Sequence, residues 1–160
     1  PLRTVKPDQN QVRQLGESSM TVFCAGVLFP PQEENNRSLL VRIDRGQSSL
    51  LLTGDLEREG ELALLEDPDK APLLADVDVL QVAHHGANTS STPDFLLRSM
   101  PAIALISVGE NSYGHPEEEV LQRLESLDAH IFSTKENATV ELSTAGDGLF
   151  IVHTARGGTT

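Results

Sequence analysis

The sequence predicts an α/β fold in which helices pack on a mixed β-sheet. From residue 57 onward, short apolar runs alternate with amphipathic segments. Pairs of β-rich runs around short Asp/Gly turns occur before and after this alternating region. The 160 residues suffice for one compact core, which Leu, Val, Ile and Ala must fill because there are only five Phe, one Tyr and no Trp. Strands that alternate with helices are typical of layered α/β domains.

The first third of the chain predicts a strand and then a hairpin. Residues 1–19 show no periodicity, and we expect a loose N-terminal segment there. MTVFCAGVLF (20–29) has strand composition and ends at two prolines. SLLVRI and SSLLLTGD flank a short turn at 44–47, which indicates a β-hairpin. EREGELALLED (57–67) places leucines among acids as an amphipathic helix would.

The remaining residues predict alternating strands and helices and then a second hairpin. DVDVLQVA (76–83), AIALISVG (102–109) and HIFST (130–134) are short apolar runs that indicate strands. SSTPDFLLRSM (90–100) and HPEEEVLQRLESL (115–127) have Pro and acids near their starts, as helices do. ATVELST and GLFIVHT indicate a hairpin, and residues 155–160 are expected to form a flexible tail.

Composition excludes several classes of function. The net charge of −12, from 12 Lys and Arg against 24 Asp and Glu, argues against non-specific nucleic-acid binding by the whole surface. It does not exclude catalysis on nucleic acid at a metal site, where the cation supplies positive charge. The single Cys24 excludes an internal disulfide and a multi-cysteine zinc site.

Ligand-type side chains collect where three predicted strands end. Asp55 closes SSLLLTGD, His84 and His85 close VLQVA, and His115 follows AIALISVG. Ligands in α/β sheets gather just beyond strand ends, so parallel strands would bring all four to one rim. A carboxylate with imidazoles suits Zn²⁺, Mn²⁺ or Fe, and Asp55 could bridge two metals.

Each of these residues also has a simpler interpretation. Asp55 fits a turn or a helix cap, the His pair fits an exposed or structural role, and His115 fits a cap ahead of Pro116. His84 and His85 cannot both enter one site while the backbone stays extended, because neighbours on a strand point to opposite faces. Only a turn would let both converge; otherwise one ligates and the other packs. A dinuclear site also needs more ligands than the three or four present.

Four segments together resemble the C-terminal metallo-β-lactamase-like domain of ComEC-type competence channel proteins. They are NNRSLLVRI, LLLTGDLEREGELALL, ADVDVLQVAHHGANTSSTPDFL and ALISVGENSYGHPEEEVLQRL, in that family's order and spacing. The resemblance implies an αββα sandwich, of which residues 20–154 would be the C-terminal half. The chain is therefore expected to be a piece of a longer protein.

The resemblance also implies roles for the rim residues. Asp55 would be the bridging metal ligand, and His85 the last metal ligand, with His84 beside it as a catalytic or alternate residue. His115 would be a catalytic residue that binds phosphate or a proton, and Ser90 and Ser91 are expected at the same rim. The implied cofactor is a divalent metal, Zn or Mn, with two ions in the intact domain and no small-molecule cofactor.

The sequence lacks metal-ligand residues that other metallo-β-lactamase-like proteins have. The HxHxDH motif that supplies most ligands is absent, and NNRS stands where related enzymes place a further histidine. We therefore expect the isolated chain to be inactive.

Three functions follow for the intact domain. The first is a nuclease that degrades the DNA strand that is not taken up; the second is a non-catalytic domain for DNA guidance or assembly; the third is a small-molecule phosphodiesterase or lactonase. The expected partners are single-stranded or duplex DNA and the membrane channel portion of the same protein. The expected location is the bacterial inner membrane, with the membrane face left open.

Overall fold

A computed structural model describes residues 9–26, 29–156 and 158–159 as two stacked β-sheets with helices on one side. The larger sheet has seven strands in chain order, from β1 to β7. Its first four strands form an antiparallel meander, and its last three continue in parallel from β4. The strands are β1 (Gln11–Leu15), β2 (Ser18–Cys24), β3 (Leu39–Arg45), β4 (Ser48–Leu52), β5 (Val79–Gln81), β6 (Ile103–Ile106) and β7 (His130–Ser133).

Helices connect the parallel strands and cover one face of this sheet. The strand sequences alternate in burial, so Leu51, Leu80 and Ala104 face the helices and are fully buried. The helices are α1 (Arg58–Glu66), α2 (Pro93–Ser99), α3 (Glu118–Glu125) and the single-turn α4 (Thr134–Asn137). Short 3-10 turns occupy Pro31–Arg37, Ala71–Leu74 and Ala83–Gly86.

The opposite face of the large sheet carries a second, smaller sheet. Its order is β10-β9-β8, all antiparallel, and the strands are β8 (Val140–Ser143), β9 (Ile151–Thr154) and β10 (Gly158–Thr159). Val152 of β9 packs with Val79 and Ile103 in a second apolar cluster. The architecture is thus the α/β arrangement of a mixed sheet with flanking helices that the sequence predicts, and it is consistent with a metallo-β-lactamase-like sandwich.

Several predicted boundaries differ from the structure, and the largest differences lie near the two ends of the chain and at the start of α3. Residues 11–19 are not loose, because β1 and the start of β2 pair through five residue pairs and extend the sheet. The sequence gives no sign of this strand, because β1 is mostly exposed and its residues are mostly polar. Residues 1–8 of the predicted loose segment lie outside the described residues. The predicted flexible tail likewise includes β10, which pairs with β9. Helix α3 begins at Glu118 rather than His115, because residues 109–115 form a loop tied together by Asn111.

None of the helices in the described ranges has both the length and the hydropathy needed to cross a membrane.

Candidate functional site

The parallel order of β4, β5 and β6 brings the three predicted strand ends to one edge of the sheet. The loops that leave these strands carry Asp55, the pair His84 and His85, and the segment from Ser107 to His115. The ring centroids of His84 and His85 lie 6.3 Å apart, and those of His84 and His115 lie 5.9 Å apart. The predicted shared rim is therefore present, and the three imidazoles form one cluster.

The turn that carries Asp55 is held by Gln81 at the end of β5. Oε1 of Gln81 accepts the backbone N–H groups of Thr53 and Gly54 at 3.0 and 3.1 Å. The hydroxyl of Thr53 donates to the carbonyl of Gln81 at 2.7 Å. In addition, His84 N–H donates to the Gly54 carbonyl at 3.0 Å. The Asp55 turn and the histidine turn are thus joined directly.

The NNRS segment supports the same turn from its other side. Ser38 Oγ accepts the Asp55 N–H at 3.2 Å. Oδ1 of the fully buried Asn36 accepts N–H groups of Glu57 and Gly60, each at 3.0 Å, at the start of α1. This segment lacks a histidine, and its polar side chains position Asp55 instead.

The two histidines lie in a turn, which is the backbone shape that would let both approach one site. His84 has φ 47° and His85 has φ 57°, both in the left-handed region, and Gly86 follows with φ 82°. Left-handed backbone is unfavourable for residues with a Cβ, so packing must hold it in place. Ser90 does part of this, since its buried hydroxyl lies 2.9 and 2.8 Å from the carbonyl oxygens of Ala83 and Ala87 and shares its one proton between them.

Ser90 and Ser91 were expected at the rim, but both side chains are fully buried. They lie behind the histidine turn, because Ser90 supports its carbonyls and the Ser91 N–H bonds to Glu61.

His85 and Asp55 approach each other at the rim. Nε2 of His85 lies 3.7 Å from Oδ1 of Asp55, and the two side chains are 52% and 49% exposed. Nδ1 of His85 lies 2.6 Å from the carbonyl oxygen of Ser107. A carbonyl only accepts, so Nδ1 carries a proton, and Nε2 is the ring nitrogen that faces Asp55. Metal-bound histidines are oriented by just such an outer hydrogen bond.

Asp55 and His85 have the chemistry and the spacing of two side chains that bind the same divalent metal ion. Oxygen and nitrogen ligands about 2.1 Å from a zinc ion at a tetrahedral angle lie about 3.4 Å apart. The observed 3.7 Å is close to that value. Within the residues that the structure describes, however, no group of three or more His, Cys, Asp or Glu side chains could hold an ion. The described chain thus presents two metal-type donors and not a complete coordination shell.

His84 and His115 lie next to this pair. His84 Nδ1 is 3.1 Å from Glu57 Oε1, an ion-pair distance, although the angle is not that of a hydrogen bond. Thr89 donates to the same Glu57 oxygen at 3.0 Å. Nδ1 of His115 is buried and has no hydrogen bond to the part of the chain that the structure describes. His115 and His85 both line an open cleft of about 520 Å³.

A buried carboxylate, Glu61 of α1, anchors the segment that follows the histidine turn. It accepts the N–H groups of Ser91 and Thr92 at 2.6 and 2.9 Å and the Thr92 hydroxyl at 2.6 Å. Burial raises the pKa of Glu61, while these hydrogen bonds and the nearby Arg123 oppose the rise.

The sequence did not single out several residues that build the site. Gln81, Asn36, Ser38, Glu57 and Glu61 were all missed. Gln81 gave a signal, as the one amide inside the apolar run VLQVA. Glu61 gave none, because it is one acid among many in its helix, and the Ser107 carbonyl has no side-chain signature.

Comparison with known proteins shows what this chain is related to. It is 38% identical to ComE operon protein 3 of Bacillus subtilis over 112 residues, 69% of this chain and 14% of that protein. It is 34% identical to Recombination protein 2 of Haemophilus influenzae over 74% of this chain and 14% of that protein. It is 32% identical to Competence protein ComA of Neisseria gonorrhoeae over 73% of this chain and 17% of that protein.

These relatives are ComEC-type competence proteins, and this chain is homologous to one portion of them. No family model matches it. It spans about a seventh of the length of its ComEC-type relatives, so the assignment concerns one portion of such a protein.

Proposed function

We propose that this chain is part of a metal-dependent nuclease domain of a DNA-uptake protein, one that degrades the strand that is not taken up. The observation that carries the proposal is the pair of oriented donors, Asp55 and His85, at the rim of the parallel strands. The relatives support the setting, because one of them is named a competence protein.

The chain's own residues hold and orient the reacting groups. Asp55 and His85 would bind the metal, and the Ser107 carbonyl keeps the proton on Nδ1 of His85 so that Nε2 stays free. A bound divalent metal would supply an activated water and stabilise the leaving oxygen. His115 lines the same open cleft as His85, and we assign its imidazole to a phosphate oxygen or to proton transfer. His84 would support the cluster through Glu57.

The remaining metal ligands, for one or two ions of Zn or Mn, would come from another part of the protein. Two donors do not make a hydrolytic site, which keeps three or more protein ligands for each zinc ion. We place the domain beside the membrane channel portion of the same protein in the bacterial inner membrane, since its relatives are about seven times longer than the matched segment.

The test is cleavage of DNA by the intact protein. With Mn²⁺ or Zn²⁺, we expect Asp55→Ala to lower the cleavage rate of plasmid or oligonucleotide DNA at least about 100-fold, because the bridging carboxylate is lost. Its metal content by elemental analysis should fall as well. Asp55 is half exposed, so the thermal midpoint should stay near that of the wild type. Asp69→Ala, a change at an exposed acid away from the rim, is the matched control. Full DNA cleavage activity in Asp55→Ala would contradict the nuclease assignment.

A non-catalytic role in DNA guidance or assembly is the second candidate. It is favoured because, among the described residues, no three His, Cys, Asp or Glu side chains form a group that could hold an ion. If the intact protein binds no metal and keeps DNA uptake after Asp55→Ala, this second role is the correct one. Cleavage of a chromogenic phosphodiester but not of DNA would instead indicate a small-molecule hydrolase.

A further inference from the structure

The loop that follows β6 presents an exposed aromatic ring next to the candidate site. Tyr113, the only tyrosine in the chain, is 79% exposed. Its ring stacks on that of His115, with centroids 6.0 Å apart and planes 16° apart. One face of the tyrosine ring therefore meets His115, and the high exposure leaves the other face open to solvent.

The ring is held in place by its loop. The side-chain oxygen of Asn111 accepts the N–H groups of Tyr113, Gly114 and His115 at 3.0, 2.9 and 3.0 Å. Its amide nitrogen donates to the carbonyls of Gly109 and His115 at 2.9 and 2.8 Å. Five hydrogen bonds from one side chain fix the loop, so a ligand that stacks on Tyr113 loses little conformational freedom in the protein.

The cleft beside Tyr113 differs in charge from the rest of this acidic chain. Its walls are formed by aromatic, hydroxyl, amide and small apolar residues together with the two imidazoles of His85 and His115, and they include no carboxylate. The nearby Glu110 is exposed, and its carboxylate lies 4.0 Å from the Lys135 ammonium group. In a chain with 24 acids, these walls hold no carboxylate of their own, and Asp55 lies at their edge, 3.7 Å from His85.

We infer that Tyr113 is a stacking platform for an unpaired nucleobase, and that the cleft thereby selects single-stranded DNA. An open, rigid aromatic face next to polar walls is the recurrent way in which proteins bind single strands without sequence preference. Bases inside a duplex already stack on one another and must be unstacked before they can use such a face. The inference rests on the proposed function, because it names the form of DNA that reaches the Asp55 and His85 pair.

Binding of a labelled oligodeoxythymidylate of about twelve nucleotides to the intact protein, without added metal, tests the inference. Tyr113→Ala should raise the Kd about 5- to 150-fold, the range that loss of one stacked base gives. Tyr113→Phe, which keeps the ring, should stay within about twofold of the wild type. An abasic strand of equal length should bind the wild type and Tyr113→Ala equally. Leu97→Ala, at an exposed apolar residue of α2 that is 61% exposed, is the control for loss of surface area.

An unchanged Kd in Tyr113→Ala, or an equal loss on the base-containing and abasic strands, would overturn the stacking role. If the wild type cleaves DNA but Tyr113→Ala binds normally, the stacking inference fails and the nuclease proposal stands. If binding depends on Tyr113 and the bases but no cleavage occurs, the nuclease proposal fails and the stacking role stands.

Discussion

A single amide side chain, that of Gln81, joins the two loops that carry the candidate metal ligands. Its oxygen accepts two N–H groups of the Asp55 turn, while its own backbone leads through Val82 and Ala83 into the histidine turn. Its amide nitrogen donates to the carbonyl of Val82 at 2.7 Å. The spacing of Asp55 and His85 therefore depends on a residue that touches neither.

Replacement of Gln81 by Leu should loosen this spacing. The N–H groups of Thr53 and Gly54 would lose their acceptor. Thr53 is fully buried, and an unpaired buried donor costs about 1–3 kcal/mol, whereas the exposed Gly54 N–H can bond to water. We expect the free energy of unfolding to fall by about that amount and metal affinity to fall about tenfold or more, as for other outer-shell residues. Denaturant titration and equilibrium dialysis measure the two effects. Gln122→Leu on α3 is the matched control, and equal effects of both changes would contradict the positioning role.

At the scale of helices, the two that flank the histidine turn are capped by side chains from other elements. Asn36 provides the acceptor for two N–H groups at the start of α1, where Glu57 makes no side-chain cap. Glu61 does the same at the start of α2 by accepting the Thr92 N–H. Thr92 occupies the N-cap position of α2. The Thr92 hydroxyl, however, donates to Glu61 instead of capping the helix.

Loss of the Glu61 carboxylate should destabilise the whole domain. Glu61→Ala would leave the Ser91 and Thr92 donors unpaired in a buried site, at a cost of about 3 kcal/mol. Denaturant unfolding measures this loss. Glu59→Ala, on the exposed side of the same helix, is the matched control and should change stability by less than about 0.5 kcal/mol. A similar small effect of both changes would contradict the capping role.

The stability contribution of Glu61 should also depend on pH. Burial raises its pKa above the ordinary value of 4.5, so the folded state keeps the proton to higher pH than the unfolded state does. Its favourable contribution is therefore full below about pH 4.5 and is lost as pH rises through the folded pKa. We expect the stability of the wild type relative to Glu61→Gln to fall as pH rises above 4.5. Urea unfolding of both proteins across this range tests the sign, and a relative gain of the wild type with rising pH would contradict it.

At the scale of the whole molecule, the sequence predicts the layering and the rim but not the details that fix the rim. Apolar runs of strand length and amphipathic segments reveal β4 to β7 and the helices between them, because burial on a sheet imposes those patterns. Parallel order then places Asp55 and His85 at one edge. The hairpin of β1 with β2 escapes prediction because Gln11–Leu15 is mostly exposed and carries no apolar alternation. The supports of the site escape it because backbone carbonyls and long-range amide contacts leave no local pattern.

Helices pack on one face of the large sheet and the three-stranded sheet packs on the other. Strand β9 makes the apolar contacts that hold the small sheet there. Val152 is 4% exposed and contacts Val79 and Ile103, while its neighbour Ile151 is 52% exposed. Adjacent residues of a strand point to opposite faces, so Val152 is buried between the sheets while Ile151 points to solvent. Substitutions at these two neighbours therefore compare a buried side chain with an exposed one in the same strand. Val152→Ala should lower the free energy of unfolding by about 1–3 kcal/mol through lost apolar burial and a residual cavity, whereas Ile151→Ala should change it by less than about 0.5 kcal/mol. Chemical denaturation of both variants measures the difference, and equal losses would mean that the small sheet does not pack on the large one through this face.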